Sequence, residues 1–168
     1  MKTNIVLIGM PGVGKSTVGV ILAKIMGLRF IDSDLSIQER EGRLLKDIIE
    51  EEGVDRFIEI EGEVLSSLNA ERSVIATGGS AIYSGAAMEK LKETSTVVYL
   101  KLSLDSLKDR LHDIKGRGVV LRDGQTLDDL YKERVPLYER YADITVTEDG
   151  LTPEGTVEAI TAKLKSLQ

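Results

Sequence analysis

The chain has 168 residues, with 22 Lys and Arg against 28 Asp and Glu, a net charge of −6, one His, 16 Gly, 3 Pro and no Cys. That length suits one domain, residues 1–168, with an ordinary core, and 42% hydrophobic with 30% charged residues is globular rather than disordered composition. Lack of cysteine excludes a disulfide framework and a thiolate metal site, the acidic balance argues against nucleic acid as a partner, and no apolar run approaches the ~20 residues of a membrane span.

The opening MKTNIVLIGM is too short, and too soon followed by Pro and Gly, for a signal peptide, so a cytoplasmic protein is expected. Asn4–Ile8 is a continuously apolar run bounded by glycine and reads as a buried strand. Lys15–Met26 follows as a helix, with Val18, Ile21, Leu22 and Ile25 on one face and Gly27 as its stop. Leu28–Ile31 reads as a second strand that ends at Asp32-Ser33-Asp34, and Leu35–Leu68 is helical, punctuated at Gly42 and Gly53.

Ser73–Ala76 is a third strand running into Gly78-Gly79, Ser84–Glu93 a helix, Thr96–Leu100 a fourth strand and Leu104–His112 a helix. Asp113–Gly124 has glycines and charges without periodicity and is expected to be a mobile loop. Thr126–Tyr138 reads as a helix, Ile144–Thr147 as a fifth strand, and Thr152-Pro153 opens a last helix with N-cap and N1 chemistry. Short strands alternating with helices predict an α/β fold on a parallel sheet.

Gly9-Met10-Pro11-Gly12-Val13-Gly14-Lys15-Ser16 fits G-x-x-x-x-G-K-[ST] at every fixed position. Glycines permit the backbone conformations that turn successive N–H groups toward phosphate oxygens. The helix starting at Lys15 adds the positive end of its dipole. Lys15 can reach the β- and γ-phosphates, and the Ser16 hydroxyl can coordinate Mg²⁺. A chance glycine turn is the bland alternative; at average glycine usage such a match is roughly a one-in-a-hundred event. A switch GTPase would share the loop, but Asp113-Ile-Lys-Gly116 follows the fourth strand and no [NT]-K-x-D guanine reader occurs.

Ligands of open α/β sheets collect at the carboxyl ends of strands. Asp32 and Asp34 lie just past the second strand, where period-two spacing in extended chain puts both on one side. One can hold a magnesium-bound water and the other can orient an acceptor hydroxyl; the competing reading is a helix cap, weighed evenly for Asp34 alone. Gly78-Gly79-Ser80 is either backbone approaching a ligand or a plain strand-to-helix turn. Arg110, Arg117, Arg122, Arg134 and Arg140 place positive charge in the second half of an acidic chain, as a local anion site or as solvated helix faces. The lone His112 reads as a surface helix residue.

Together these features resemble the shikimate kinases, among the nucleoside-monophosphate-kinase-like P-loop kinases, over essentially the whole chain. The resemblance is carried by Gly14-Lys15-Ser16-Thr17-Val18-Gly19, Phe30-Ile31-Asp32-Ser33-Asp34, Ile60-Glu61 with Val64-Leu65, Gly78-Gly79, and the stretch from Leu130-Tyr131 through Arg134, Tyr138 and Tyr141-Ala142-Asp143. It implies a three-layer fold with a five-stranded parallel sheet, a helical substrate-binding segment at 33–68 and a lid at 113–124. It implies ATP held by Gly12, Val13, Gly14, Lys15, Ser16 and Thr17, with Arg110 stacking on adenine and Pro153 counted with these nucleotide-binding residues. Mg²⁺ goes to Ser16 and Asp32. The acceptor goes to Asp34, Arg56, Gly78, Gly79, Ser80 and Arg134, and Lys15, Asp34 and Arg117 carry catalysis.

The chain departs from the family's pattern at three places, all on the acceptor side. Where the family sets an arginine after the phenylalanine, Phe57 is followed by Ile58 and the nearby arginine is Arg56; at ~100° per residue, positions 56 and 58 point ~200° apart around a helix. The family's triple glycine ends here in Ser80, and its lid Arg-Pro-Leu-Leu is Arg117-Gly118-Val119-Val120. The expected activity is phosphoryl transfer from ATP to a hydroxyl of shikimate by a monomer. The alternatives are a kinase of this fold for another hydroxy acid, sugar acid or polyol, and an ATP-responsive binding module without acceptor chemistry.

Overall fold

A computed structural model describes residues 1–111 and 120–168; the expected lid lies mostly outside the described residues, as do Arg117 and His112. Five strands form one parallel sheet in the order β2-β3-β1-β4-β5: β1 is Asn4–Ile8, β2 Arg29–Asp32, β3 Ser73–Ala76, β4 Ser95–Lys101 and β5 Ile144–Thr147. The register pairs Val6 with Ile75 of β3 and Val97 of β4, and Ile31 with Ile75. β1 and β3 are buried along their whole length, as covering helices on both faces require, whereas edge strand β2 is half-exposed.

The helices are α1 Lys15–Met26, α2 Ser33–Glu41, α3 Leu45–Glu52, α4 Val54–Ser67, α5 Gly85–Thr94, α6 Leu104–Arg110, α7 Leu127–Tyr141 and α8 Pro153–Ser166. Their ends follow from local chemistry. Ser84, Ser103 and Thr152 cap α5, α6 and α8 with side-chain oxygens. Thr126 and Asp129 form a reciprocal capping box at α7. Gly42 and Gly53 break the expected long helix into α2, α3 and α4.

Elsewhere the differences from expectation are at the ends. A one-turn 3-10 helix, Ala81–Tyr83, precedes α5. α6 stops at Arg110, and α7 runs on to Tyr141. That last helix contains Pro136, whose missing N–H costs one hydrogen bond of the ladder without ending it.

Two apolar clusters result. The larger joins the sheet to α1, α5, α7 and α8 through residues such as Leu7, Leu22, Val98 and Tyr138. A smaller one gathers Ile37, Ile48, Phe57, Ile60 and Val64 from α2, α3 and α4 with Val120. The groove between these bodies lies at the carboxyl ends of β1, β2 and β3.

Candidate active site

The loop between β1 and α1 passes through left-handed backbone at Gly12 (φ 87°) and Gly14 (φ 85°), which a Cβ would strain. Nothing lies within 4 Å of the place a Cβ on Gly14 would take, so the backbone there is open to an approaching group. Lys15 is buried; its Nζ donates to the carbonyls of Gly9 (2.7 Å) and Met10 (2.9 Å). Burial lowers its pKa to about 8 against the opposing pull of Asp34. A cavity of about 310 Å³ is lined by Gly12, Gly14, Lys15, Ser16 and Thr17 together with Asp34, Phe57, Glu61, Thr77, Gly78, Gly79, Ser80 and Arg134.

Asp32 combines a structural duty with its place beside Ser16. Asp32, not Asp34, is the cap of α2: its Oδ1 accepts from the N–H groups of Asp34 (3.0 Å) and Leu35 (3.4 Å). Its Oδ2 accepts from Ser16 Oγ at 2.8 Å. Asp34 sits in the first turn of α2, so helical geometry rather than extended spacing sends it into the cavity. Its Oδ1 is buried with no hydrogen-bond partner among the described residues. Burial, with Asp32 nearby, pushes its carboxyl up to about 6.

The turn after β3 is equally close-fitting. A Cβ on Gly78 would fall 2.5 Å from Glu61 Oε2 and 2.8 Å from Asp34 Oδ1; one on Gly79 would fall 2.8 Å from both Arg134 Nη1 and Pro11 Cδ. Positions 134 and 138 are one helical turn apart on α7. Tyr138 donates its hydroxyl to the Gly79 carbonyl at 2.6 Å. Arg134 is 1% exposed yet lines the cavity. Its Nη2 donates to the Val120 carbonyl (3.1 Å), its Nε donates to Tyr83 Oη (3.4 Å), and its guanidinium lies over the Tyr83 ring.

Of the residues singled out in the sequence, Gly12, Gly14, Lys15, Ser16, Thr17, Asp34, Gly78, Gly79, Ser80 and Arg134 line this one cavity. Val13 is buried beneath the loop, and Asp32 reaches the site through Ser16. Arg110 donates from Nη1 to the Gly12 carbonyl at 3.3 Å, beside the phosphate loop but outside the cavity lining. Pro153 is exposed at the first turn of α8 and does not line the cavity.

Arg56 is a correction: it is exposed on α4 and pairs with Glu59 (3.1 Å) and Glu63 (3.4 Å). It does not line the cavity, whose α4 residues Phe57 and Glu61 lie about 100° and 140° around the helix from position 56. Ser80 is only 3% exposed, and its hydroxyl donates to Glu61 Oε1.

Two buried carboxyls escaped sequence reasoning as site residues. Glu61 is 1% exposed; its Oε1 accepts from Ser80 Oγ at 2.6 Å, and burial pushes its carboxyl up to about 7. Its signal was a charge on the apolar face formed by Ile60, Val64 and Leu65. Glu148, just past β5, is 3% exposed, with Oε2 at 4.0 Å from Arg110 Nη1 and its carboxyl likewise raised to about 7 by burial. No alternation or motif marked it.

Among the described residues no group of three or more His, Cys, Asp or Glu could hold a metal by itself. Mg²⁺ asks for less, one or two side chains plus phosphate and water oxygens, and Ser16 with Asp32 fits that demand.

With a phosphate loop leaving the middle strand of a 2-3-1-4-5 parallel sheet, and Asp34, Gly78, Gly79 and Arg134 lining the same cavity, the chain falls in the class of P-loop kinases. The family model described as shikimate kinase matches residues 11–165. A shikimate kinase of Sulfurihydrogenibium sp. (strain YO3AOP1) is 37% identical over 163 residues, covering 96% of this chain and 98% of the relative. The solved shikimate kinase of Acinetobacter baumannii, in complex with shikimate, superposes with a TM-score of 0.91 at 34% identity over 100% of this chain and 96% of that one. That of Aquifex aeolicus superposes at 0.83 with 33% identity, covering 96% of each chain. The chain belongs to the shikimate kinase family.

Proposed function

We propose that this chain transfers the γ-phosphoryl group of ATP to a hydroxyl of shikimate, giving shikimate 3-phosphate and ADP. Family membership supports the reading, and one observation of the site carries it: Asp34 lines the same cavity as Lys15 and the phosphate loop. Asp34 accepts the proton of the attacking hydroxyl. The acceptor hydroxyl's own oxygen forms the new bond to phosphorus as the bond to the departing ADP oxygen breaks. Lys15 stabilises charge on the transferring group, and the loop N–H groups with Val13 and Thr17 at their sides hold the phosphates.

Mg²⁺, held by Ser16 with Asp32 behind it, would neutralise phosphate charge when bound. Arg134 takes the acceptor carboxylate, Gly78 and Gly79 leave room for the ring, and Arg110 and Pro153 border the nucleotide's base. Residues 33–68 serve as the acceptor side, a role supported by their separate apolar cluster. The same reading has a monomer working in the cytoplasm. Among the described residues no helix is long and apolar enough to cross a membrane.

The test is coupled ADP release with shikimate beside other hydroxy acids and sugar acids. Shikimate is expected to give the highest kcat/KM by at least tenfold. A higher value for another acceptor would replace it as substrate, and ATP binding with no acceptor-dependent ADP release would make the chain a nucleotide-responsive module.

A further inference from the structure

Glu148 is a buried carboxyl that the transfer reaction does not use. It follows β5 at the carboxyl end of the sheet, and its Oε1 has no hydrogen-bond partner among the described residues. The charged groups that act on it are Arg110 from α6, Lys15 from α1 and its chain neighbour Asp149. Its backbone is fixed: its N–H donates to the Lys101 carbonyl and its carbonyl accepts from Leu151 N–H, each at 2.8 Å. Asp149 ties the same turn to α6, accepting from the hydroxyls of Ser103 (2.6 Å) and Ser106 (2.9 Å).

The end of α6 in turn meets the phosphate loop. Arg110 Nη1 donates to the Gly12 carbonyl at 3.3 Å, and a Cβ on Gly12 would fall 2.9 Å from Leu111 Cδ2. The same Nη1 lies 4.0 Å from Glu148 Oε2, outside hydrogen-bond distance. Arg110 thus stands between two acceptors, and its side chain is exposed enough to shift toward either. A neutral Glu148 has little hold on the guanidinium and leaves it on the loop. An ionised one attracts it with a full charge where the Gly12 carbonyl offers a dipole. It also sets a negative charge beside a loop whose ligand is itself anionic. Burial holds the carboxyl at about 7, so both forms occur near neutral pH.

We propose that Glu148 is a positioning residue of the nucleotide site: its neutral carboxyl leaves Arg110 on the phosphate loop, and its ionised carboxyl draws Arg110 off the Gly12 carbonyl and weakens ATP binding. The inference rests on the ATP reading above and concerns affinity for nucleotide, whichever acceptor is phosphorylated. Glu148 acts through Arg110 and touches no reacting atom. By linkage, ATP binding favours the protonated form, so the complex takes up protons as it forms near neutral pH.

The experiment is calorimetric titration with ATP, without acceptor, from pH 6 to pH 8.5, for the wild type, Glu148→Gln, Arg110→Gln and the double variant. Lys15 and the ATP phosphates also titrate in this range, but they do so in both the wild type and Glu148→Gln, so the ratio of the two dissociation constants isolates Glu148. That ratio should lie within about twofold of one at pH 6 and reach about five- to tenfold at pH 8.5, the wild type binding more weakly, as when binding raises the carboxyl's pKa by about one. Near pH 7.5 the wild type should take up about half a proton per ATP more than Glu148→Gln, measured by repeating the titration in buffers of different ionisation enthalpy. With Arg110→Gln in both chains, the ratio at pH 8.5 should fall to within about twofold, because the group that relays the charge is gone. If Glu148→Gln does not fold, lower proton uptake in Arg110→Gln than in the wild type carries the test. A ratio that stays flat from pH 6 to pH 8.5, or a full effect that survives in the Arg110→Gln background, would overturn this inference alone. Wild-type protein that binds no ATP would overturn the kinase reading and this inference with it.

Discussion

Ser16 Oγ donates to Asp32 Oδ2 at 2.8 Å, tying the first turn of α1 to the end of β2 although β3 stands between β2 and β1 in the sheet. The same Asp32 carboxylate caps α2 with its other oxygen. One side chain thus joins the phosphate loop to the segment that carries Asp34. Its two duties can be separated. Asp32→Ala should cost about 0.5–2 kcal/mol of stability, the worth of a cap, and raise the Mg²⁺ concentration needed for half-maximal activity. Asp32→Ser keeps a capping oxygen and should recover the stability without recovering the Mg²⁺ response. Urea unfolding and Mg²⁺ titration of activity measure the two effects, and a normal Mg²⁺ response in both variants would remove Asp32 from the metal site.

Asp34→Asn keeps the shape of the cavity and removes the proton acceptor. Turnover should fall about a hundredfold or more, while the dissociation constant for ATP stays within about twofold. Calorimetric ATP titration beside ADP-release kinetics provides the check. Turnover close to the wild type would remove Asp34 from catalysis.

Gly78→Ala would put a methyl 2.5 Å from Glu61 Oε2 and 2.8 Å from Asp34 Oδ1, so both carboxyls must move. The KM for the acceptor should rise at least tenfold and the KM for ATP little, because the phosphate loop is not touched. Equal losses toward both substrates would point to general unfolding of the turn, which a thermal melt would reveal.

Arg56→Ala tests the correction made above. The side chain is exposed and faces Glu59 and Glu63, so the KM for shikimate and the melting temperature should match the wild type. A rise in the acceptor KM of tenfold or more would bring Arg56 back to the site.

Glu148 links pH to stability. Burial raises its carboxyl from 4.5 to about 7 in the folded chain. The native state therefore keeps this proton after the unfolded chain has released it. The contribution is fully present below pH 4.5 and is lost as pH rises through about 7. Glu148→Gln has no such proton. Between pH 5 and pH 8 the wild type should lose on the order of 2 kcal/mol more stability than the variant. Urea midpoints at both pH values decide it, and parallel losses would show Glu148 ionising as freely in the folded chain as in the unfolded one.

Much of the fold was legible because its signals are local. β1, β3 and β5 were bounded correctly by apolar runs and their glycine or polar flanks, and Gly42 and Gly53 marked the breaks between α2, α3 and α4. The phosphate loop was legible because its glycines and Lys15 must stand at fixed intervals to work. Long-range geometry was less so. Nothing in Asp32-Ser33-Asp34 says which carboxylate caps and which stays free, because that depends on where Ser16 sits after the sheet has formed. Arg56 could be judged from its angle relative to Ile58, but the Glu59 and Glu63 partners that hold it outside are a surface arrangement. The Ser80–Glu61 bond joins a helix to a turn nineteen positions away, and each residue alone reads as an ordinary member of its element.

The insertion of β3 between β2 and β1 also bears on how the chain acquires its site. Everything from the phosphate loop to both aspartates has left the ribosome before Ser73 appears, yet β2 has no strand to pair with until β3 exists. β1 then gains its second neighbour only with β4, beginning at Ser95. The N-terminal residues that resemble a complete ATP site are therefore a collection of unassembled parts while the chain is growing. Nucleotide binding becomes a late event of folding, and ATP is a ligand that rewards the finished sheet rather than a template for starting it.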